Sequence, residues 1–238
     1  MSKIFIHGGS SEITKYLIDY LYNTFDEFHI FVRNIEKAKK NLKIFEKKII
    51  YYENHLDDLD KSLNHVKSLP NDISSLIWLS GDTGNSNLEF SNLELCKKTI
   101  DVNFSNVVLL LNYILEHKFV IKDNSFLCGF TSVAGLRGRK LNTFYGAAKA
   151  GFISYLSSLR QKYNKKMLIM TIIPGYMRTN NHTINTSSFI TSSAEKSAKI
   201  IFKSIKKKKE IVFIDYKWSL IMKIILLIPE KIFKKFNF

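Results

Sequence analysis

Ser132, Tyr145 and Lys149 are the residues of this chain best suited to move a proton. Ser132 stands in Thr131-Ser132-Val133-Ala134-Gly135, and Tyr145 and Lys149 open and close Tyr145-Gly146-Ala147-Ala148-Lys149. A hydroxyl can hold a carbonyl oxygen, and a phenol can pass a proton to it. An ammonium beside that phenol favours the phenolate and lowers its pKa toward the range proton transfer needs. On a helix, Tyr145 and Lys149 are i and i+4 and share one face. Chance stands against this: in a Lys-rich chain with 11 Tyr, about one Tyr-x-x-x-Lys pair is expected at random. The pattern gains weight only if the surrounding elements agree with it.

Those elements read as alternating strands and helices. Apolar runs at Lys3–His7, Phe28–Val32, Lys48–Tyr52, Ser74–Leu79, Ser125–Phe130, Met167–Ile173 and Glu210–Ile214 predict seven strands. Helical spacing predicts helices near 11–23, 35–46, 58–69, 91–117, 142–163 and 193–207. Repeated strand–helix units imply one doubly wound (Rossmann-type) parallel sheet of about seven strands with helices on both faces. In such sheets ligands bind beyond the carboxyl ends of the strands. Ser132 and the turns discussed next all fall at such ends.

The first turn, His7-Gly8-Gly9-Ser10-Ser11-Glu12-Ile13, joins strand one to helix one. Gly8 and the small hydroxyl residues Ser10 and Ser11 let backbone N–H groups up to Ile13 approach a pyrophosphate at a helix N-terminus. Glu12 puts a negative charge near that site, so its side chain should point away or bond a neighbouring backbone group. Strand two ends in Phe31-Val32-Arg33-Asn34. An acid at Val32 would grip the ribose hydroxyls of NAD, whereas Arg33 suits the 2′-phosphate of NADP, so NADP(H) is expected over NAD(H). Asp57, after strand three, is a candidate acceptor for adenine, although two adjacent Asp also suit a helix cap.

Taken together, these residues resemble the short-chain dehydrogenase/reductase family from about Lys3 to Ile214. The resemblance rests on Gly8–Ile13, Asn103 in Asp101-Val102-Asn103, Ser132, Tyr145, Lys149 and Pro174-Gly175-Tyr176-Met177-Arg178-Thr179. It implies hydride transfer between nicotinamide and a carbonyl or alcohol. Tyr145 would give the proton, Lys149 would acidify Tyr145 and bond the nicotinamide ribose, and Ser132 would orient the substrate oxygen. Asn103 would bend the long helix and hold a water. Pro174, Gly175, Met177 and Thr179 would line the nicotinamide. The family pattern has Gly where this chain has Glu12 and Thr14. Its Asn-Asn-Ala-Gly is replaced by Leu79-Ser80-Gly81-Asp82-Thr83-Gly84, in which Gly81 has the better spacing to Asn103. A narrower similarity, carried by Gly8–Ile13 and the tail, is to the branch that includes the decaprenylphosphoryl-2-keto-ribose reductases. It implies a keto-sugar substrate carried on a polyprenyl phosphate. The alternatives are a soluble reductase of another carbonyl, such as an acyl thioester or steroid-like ketone, and a non-catalytic nucleotide-binding regulatory protein.

Composition bounds the rest. The 238 residues suit one large domain, here 1–215, followed by a basic amphipathic extension, 216–238. The start of the chain enters a strand at once and has no signal-peptide pattern. Cys96 and Cys128 lack metal-ligand spacing and read as reduced core residues of a cytoplasmic protein, and no metal site is expected. Net charge is +15, and residues 196–238 hold nine of those charges, twelve Lys against Glu210, Asp215 and Glu230. The aromatic and Gly motifs of RNA-binding modules are missing, so nucleic acid is not the expected partner. The apolar run Trp218–Ile228 is too short to span a bilayer, and its Lys and aromatic flanks suit an interfacial helix over 217–236 on anionic lipid. Closing the substrate pocket or making a subunit contact is the competing role. Arg137, Arg139 and Lys140 are equally placed to meet a substrate phosphate or to be solvated charges. The small residues Gly146, Ala147, Ala148, Ala150 and Gly151 permit close helix packing in a homodimer or homotetramer. The polar stretch 180–192 is the expected substrate lid.

Overall fold

The computed structural model describes residues 1–83, 92–177 and 191–236. Arg178, Thr179, Gly84 and residues 180–190 of the expected lid lie outside the described residues. In chain order the elements are β1 (Lys3–His7), α1 (Glu12–Leu21), β2 (Glu27–Val32), α2 (Ile35–Leu42), β3 (Ile49–Glu53), α3 (Leu59–Lys67) and β4 (Ile73–Trp78). Then come α4 (Leu93–Ile100), a π-helical turn (Asp101–Ser105), α5 (Asn106–His117), β5 (Phe126–Phe130), α6 (Thr143–Lys162) and β6 (Leu168–Ile173). The chain closes with β7 (Tyr176–Met177), β8 (Thr191–Ser192), α7 (Ala194–Lys206), β9 (Ile211–Phe213), α8 (Tyr216–Leu227) and α9 (Glu230–Phe233).

Seven strands form one parallel sheet in the order β3-β2-β1-β4-β5-β6-β9. The strands lack the half-polar alternation of a sheet that faces water, because helices cover both faces. Ile4, Ile6, Phe28 and Ile30 pack on one side with Leu17, Ile18 and Ile201, from α1 and α7. Phe5, Phe31, Leu76 and Trp78 pack on the other with Leu110, Leu111, Phe152 and Leu156, from α5 and α6. Burying each such large side chain contributes about 1.5–3 kcal/mol. Side chains from the cap residues Ser11, Asn34, Asp58, Asn92, Ser193 and Asp215 accept backbone N–H groups of α1, α2, α3, α4, α7 and α8. These caps explain why the helices start at strand ends, where polar residues cluster.

Two elements differ from expectation in form. The helix expected over 91–117 is two helices joined by the π turn, and the helix expected over 35–46 stops at Leu42 and continues as a 3-10 turn. Strand order reverses between β1 and β4, so the crevice opens at their carboxyl ends, beside His7 and Leu79.

Candidate active site

The crevice is a groove of about 1070 Å³, running from Lys37 and Lys40 past the Gly8–Ser11 turn to Ser80, Gly81 and Asp82. The turn lies flat on the sheet. A Cβ on Gly9 would sit 2.1 Å from Ile30 Cγ2, and Gly8 has φ of +105°, open to glycine at no steric cost. The Gly-to-Thr departure at Thr14 has a local reason. Thr14 is fully buried and its hydroxyl donates to the Gly8 carbonyl at 2.8 Å, bracing the turn from within. Glu12 is exposed in the first turn of α1 and lines the groove beside Ser11.

His7, in the strand just before the turn, was missed as a site residue because a single His at a strand end carries no pattern. Its ring stacks on Trp78 at 4.3 Å, with Nε2 at 3.1 Å from Asn54 Oδ1 and Nδ1 beside the Ser80 hydroxyl. Burial pushes its pKa down to about 4, so it is a neutral brace joining β1, β3 and β4. Asn54 was missed too. It is buried on the groove wall, and its Nδ2 has no hydrogen-bond partner.

At the far end of the groove Arg33 is exposed and lines the wall with Lys15, Lys37 and Lys40. Asp57 also lines it, but its carboxylate is paired with Lys98 at 2.8 Å, which holds its pKa below the usual range. Its neighbour Asp58 is the helix cap, accepting Lys61 N–H at 2.9 Å. Of the two, Asp58 is the residue that caps α3.

Gly81 takes the position that the spacing favoured. A Cβ there would lie 2.7 Å from Asn103 Oδ1 and 2.8 Å from Lys149 Nζ, so only Gly lets the β4 loop meet both. Asn103 is fully buried in the π turn. Its Nδ2 donates to Asp82 O at 2.6 Å and to Thr99 O at 2.8 Å, and its Oδ1 accepts Asp82 N–H at 3.1 Å. The amide is spent on protein groups, so Asn103 ties the β4 loop to the helix.

The Ser132 hydroxyl accepts Ala134 N–H at 3.1 Å and lies near enough to the Tyr145 phenol to favour its ionised form. Gly135 and Gly146 permit this. A Cβ on Gly135 would lie 2.7 Å from the Lys149 carbonyl carbon, and one on Gly146 would lie 3.0 Å from Ala134 O. The loop after β5 is thereby pressed onto α6, bringing Ser132 to Tyr145. Lys149 is buried, donates to Phe130 O at 3.2 Å, and has its Nζ 5.7 Å from the Tyr145 ring centre.

The electrostatics differ from expectation. Burial pushes the Tyr145 phenol above its usual value, while the Ser132 hydrogen bond and the Arg139 charge oppose that push and Asp82 adds to it. Burial also lowers Lys149 to about 8. Two cations thus stand near Tyr145: Arg139, whose charge opposes the push, and Lys149, whose Nζ is 5.7 Å from the ring centre.

The tail closes this end. Trp218 and Met222 of α8 pack on Val133 and Ile173, and a Cβ on Gly175 would lie 1.9 Å from Trp218 Nε1. Pro174 is buried beside it, and Met177 packs against the core with its sulfur 3.7 Å from the Ser197 hydroxyl. Arg137 is neither solvated nor free for a phosphate. It donates to the carbonyls of Ile225, Leu226 and Ile228 at the end of α8, pairs with Glu230 at 2.8 Å and lies over the Phe233 ring. The small residues of α6 are largely used inside the chain: Gly146 against Ala134, and Gly151 against the Phe104 ring. Ala147 and Ala150 remain exposed.

A nicotinamide dinucleotide fits the groove by its length, by the α1 N-terminus that opens on it through Ser10 and Ser11, and by the unpaired Asn54 amide in its wall. Among the described residues no cluster of His, Cys, Asp or Glu could hold a metal, and no helix is long and apolar enough to cross a membrane.

The family model described as short chain dehydrogenase matches residues 2–188. Among solved structures, a short chain dehydrogenase from Burkholderia cenocepacia in complex with NADP is similar over 98% of this chain and 96% of its own, with a TM-score of 0.80 and 13% identity. A 3-oxoacyl-[acyl-carrier protein] reductase from Brucella melitensis in complex with NAD is similar over 92% of this chain and 97% of its own, with a TM-score of 0.77 and 14% identity. Levodione reductase is similar over 90% and 96%, with a TM-score of 0.74 and 18% identity. At these identities the structural likeness speaks for the fold alone.

Proposed function

The chain belongs to the short-chain dehydrogenase family of NAD(P)-dependent oxidoreductases, and from that premise we propose that it is an NADP(H)-dependent reductase of a carbonyl substrate. One observation carries the reading. The Ser132–Tyr145 hydroxyl pair and the buried Lys149 ammonium converge with Gly81 at one end of the groove. A regulatory nucleotide-binding module would have no use for a buried Lys held at the cost of its hydration.

NADPH, when bound, supplies the hydride. The Gly8–Ile13 turn, with Ser10 and Ser11, holds the pyrophosphate. Arg33 holds the 2′-phosphate, and Gly81, Pro174, Gly175 and Met177 border the nicotinamide. The second carboxylate oxygen of Asp57 is left to meet adenine. Lys149 bonds the nicotinamide ribose. Ser132, whose oxygen accepts from Ala134 N–H, turns its hydroxyl hydrogen from the Tyr145 oxygen to the substrate oxygen. Tyr145 gives that oxygen its proton. Because burial keeps the phenol protonated through neutral pH, the donor is in its acid form where reduction needs it.

NADPH is preferred because Val32 offers no carboxylate to ribose hydroxyls, while Arg33, Lys15, Lys37 and Lys40 gather positive charge at that end. Losing one charge-assisted contact costs about 1.5–3 kcal/mol. Arg33→Ala should therefore weaken NADPH binding about 10- to 100-fold and leave NADH binding nearly unchanged. Fluorescence titration of both cofactors is the check. A wild-type preference for NADH, or no loss in the variant, rejects the assignment.

The substrate reading is a carbonyl delivered at an anionic membrane surface, such as a lipid-linked keto-sugar. The inner face of α8 is docked, but Leu220, Ile224 and Leu227 form an outer stripe that is 60%, 59% and 82% exposed. Lys217, Lys223, Lys231, Lys234 and Lys235 flank it, matching lipid of opposite charge. Because α8 also covers Val133 and Ile173, the informative variant changes the outer stripe only. Leu220→Ser/Ile224→Ser/Leu227→Ser should lose co-sedimentation with phosphatidylglycerol vesicles while keeping the wild-type melting temperature. Binding by the wild type should fall as salt rises. Equal partitioning of the two proteins removes the membrane reading and leaves the helix as a pocket cover. A homodimer or homotetramer is proposed as well, using the exposed Ala147 and Ala150 face of α6.

A further inference from the structure

The loop that carries Ser132 toward Tyr145 continues through Arg137-Gly138-Arg139-Lys140, and α9 returns from the tail to lie against it. Between them is a cavity of about 360 Å³, separate from the cofactor groove. Gly138, Arg139, Lys140, Lys234, Phe233 and Phe236 line it, together with Glu230. Three cations and two aromatic rings thus surround one space, lined in part by the loop that leads into the Tyr145 helix.

The charges are not equivalent. Glu230, the carboxylate on this wall, is held by Arg137 at 2.8 Å, so it is already neutralised. Arg137 is spent on α8 carbonyls and the Phe233 ring. Arg139 is different. Its Nε is buried and has no hydrogen-bond partner. Native proteins rarely leave a buried charged donor unsatisfied, and such a group marks a place where a partner arrives. A guanidinium presents a planar fork that matches a phosphate or carboxylate. Lys140 and Lys234 on the same wall suit an anion of more than one charge, which favours phosphate over carboxylate. The Arg139 charge is also felt at Tyr145, which opens the helix that follows this loop.

We propose that the carbonyl substrate carries a phosphate ester, and that Arg139, with Lys140 and Lys234, seats it between the β5–α6 loop and α9. The inference rests on the reductase reading and adds to it the class of substrate. It gives the C-terminal segment a second role: Lys234 and Phe236 complete the substrate site, and Arg137 positions them by clamping α8 and α9 onto the catalytic loop. The phosphate can belong to a soluble metabolite or to a lipid headgroup, and both present the same oxygens to Arg139.

The test compares dihydroxyacetone, dihydroxyacetone phosphate, and an alkyl phosphodiester of the same ketone in detergent micelles, all with saturating NADPH. Wild type should show kcat/KM at least about 30-fold higher for one of the phosphate probes than for the neutral ketone. The probe that gains identifies the source, soluble or lipid. Arg139→Gln and Lys234→Gln should each lower that ratio about tenfold, with Arg139→Lys falling less. The ratio cancels any effect of the Arg139 charge on Tyr145. Phenyl phosphate should compete with the ketone in wild type and lose potency in Arg139→Gln. Turnover of the neutral ketone with no gain for either phosphate probe overturns the phosphate site and leaves the reductase reading standing. Arg139-dependent binding of phenyl phosphate, with no ketone reduced, keeps the site and overturns the reductase reading.

Discussion

Replacing Tyr145 by Phe lowers turnover about 10³-fold, the scale of a positioned general acid, and leaves NADPH affinity close to that of wild type. The substitution removes one oxygen and keeps the ring, so the fit of α6 against the β5 loop is retained. Ser132 keeps its bond from Ala134 N–H and loses only the phenol. The loss should fall on kcat and kcat/KM together, because the proton is transferred only in the transition state. Steady-state kinetics on a ketone that wild type reduces, paired with fluorescence titration of NADPH, checks it. Turnover within a few-fold of wild type would remove Tyr145 from the chemistry.

Lys149→Met should abolish activity and yet stabilise the cofactor-free protein. Lys149 is buried, with one hydrogen bond, to Phe130 O, and burial lowers its pKa from 10.5 to about 8. A shift of that size corresponds to a cost on the order of 3 kcal/mol while the group must be charged. The folded state carries this cost in full below about pH 8. Between pH 8 and 10.5 the unfolded chain binds more protons than the folded one, so stability should rise with pH across that window. Met fills a similar volume without the charge. Denaturant melts of the variant should show higher stability at pH 7 and no rise from this group toward pH 10. A variant less stable than wild type at pH 7 would mean that the Lys149 contacts outweigh its desolvation. The trade of stability for function would then not hold at this position.

Much of this arrangement is legible in the residues. The strands are runs of Ile, Phe and Leu with little polar interruption, and sheets covered on both faces need such runs. Spacing to Asn103 favoured Gly81, and Gly81 does lie close to Asn103 and Lys149. Arg33 and the Gly8–Ser11 turn line the same groove, as their positions at strand ends implied.

What was not legible depended on contacts distant in sequence. The α8 segment is apolar nearly all round, so periodicity could not tell the face docked through Trp218 and Met222 from the face left outside at Leu220 and Ile224. Arg137 looked like a surface cation because its carbonyl partners lie some ninety residues further along the chain. The Asp57–Lys98 pair joins the β3 end to α4 across the groove, and no local pattern announces it. Burial was the other hidden variable. The Tyr145 and Lys149 spacing states that the two groups are neighbours, but the direction of their pKa shifts follows from how much water each has lost.

In the proposed reaction the Ser132–Tyr145–Lys149 end of the groove directs a hydride onto a carbonyl carbon. The most direct measurement is transfer of deuterium from stereospecifically labelled [4-²H]NADPH to the carbinol carbon of the product alcohol, read by mass spectrometry. One deuterium per product is expected from one of the two labelled epimers and none from the other, with product formation lost in Tyr145→Phe. Tight NADPH binding with no label reaching any ketone, phosphorylated ketones included, would contradict it, as would undiminished transfer in Tyr145→Phe.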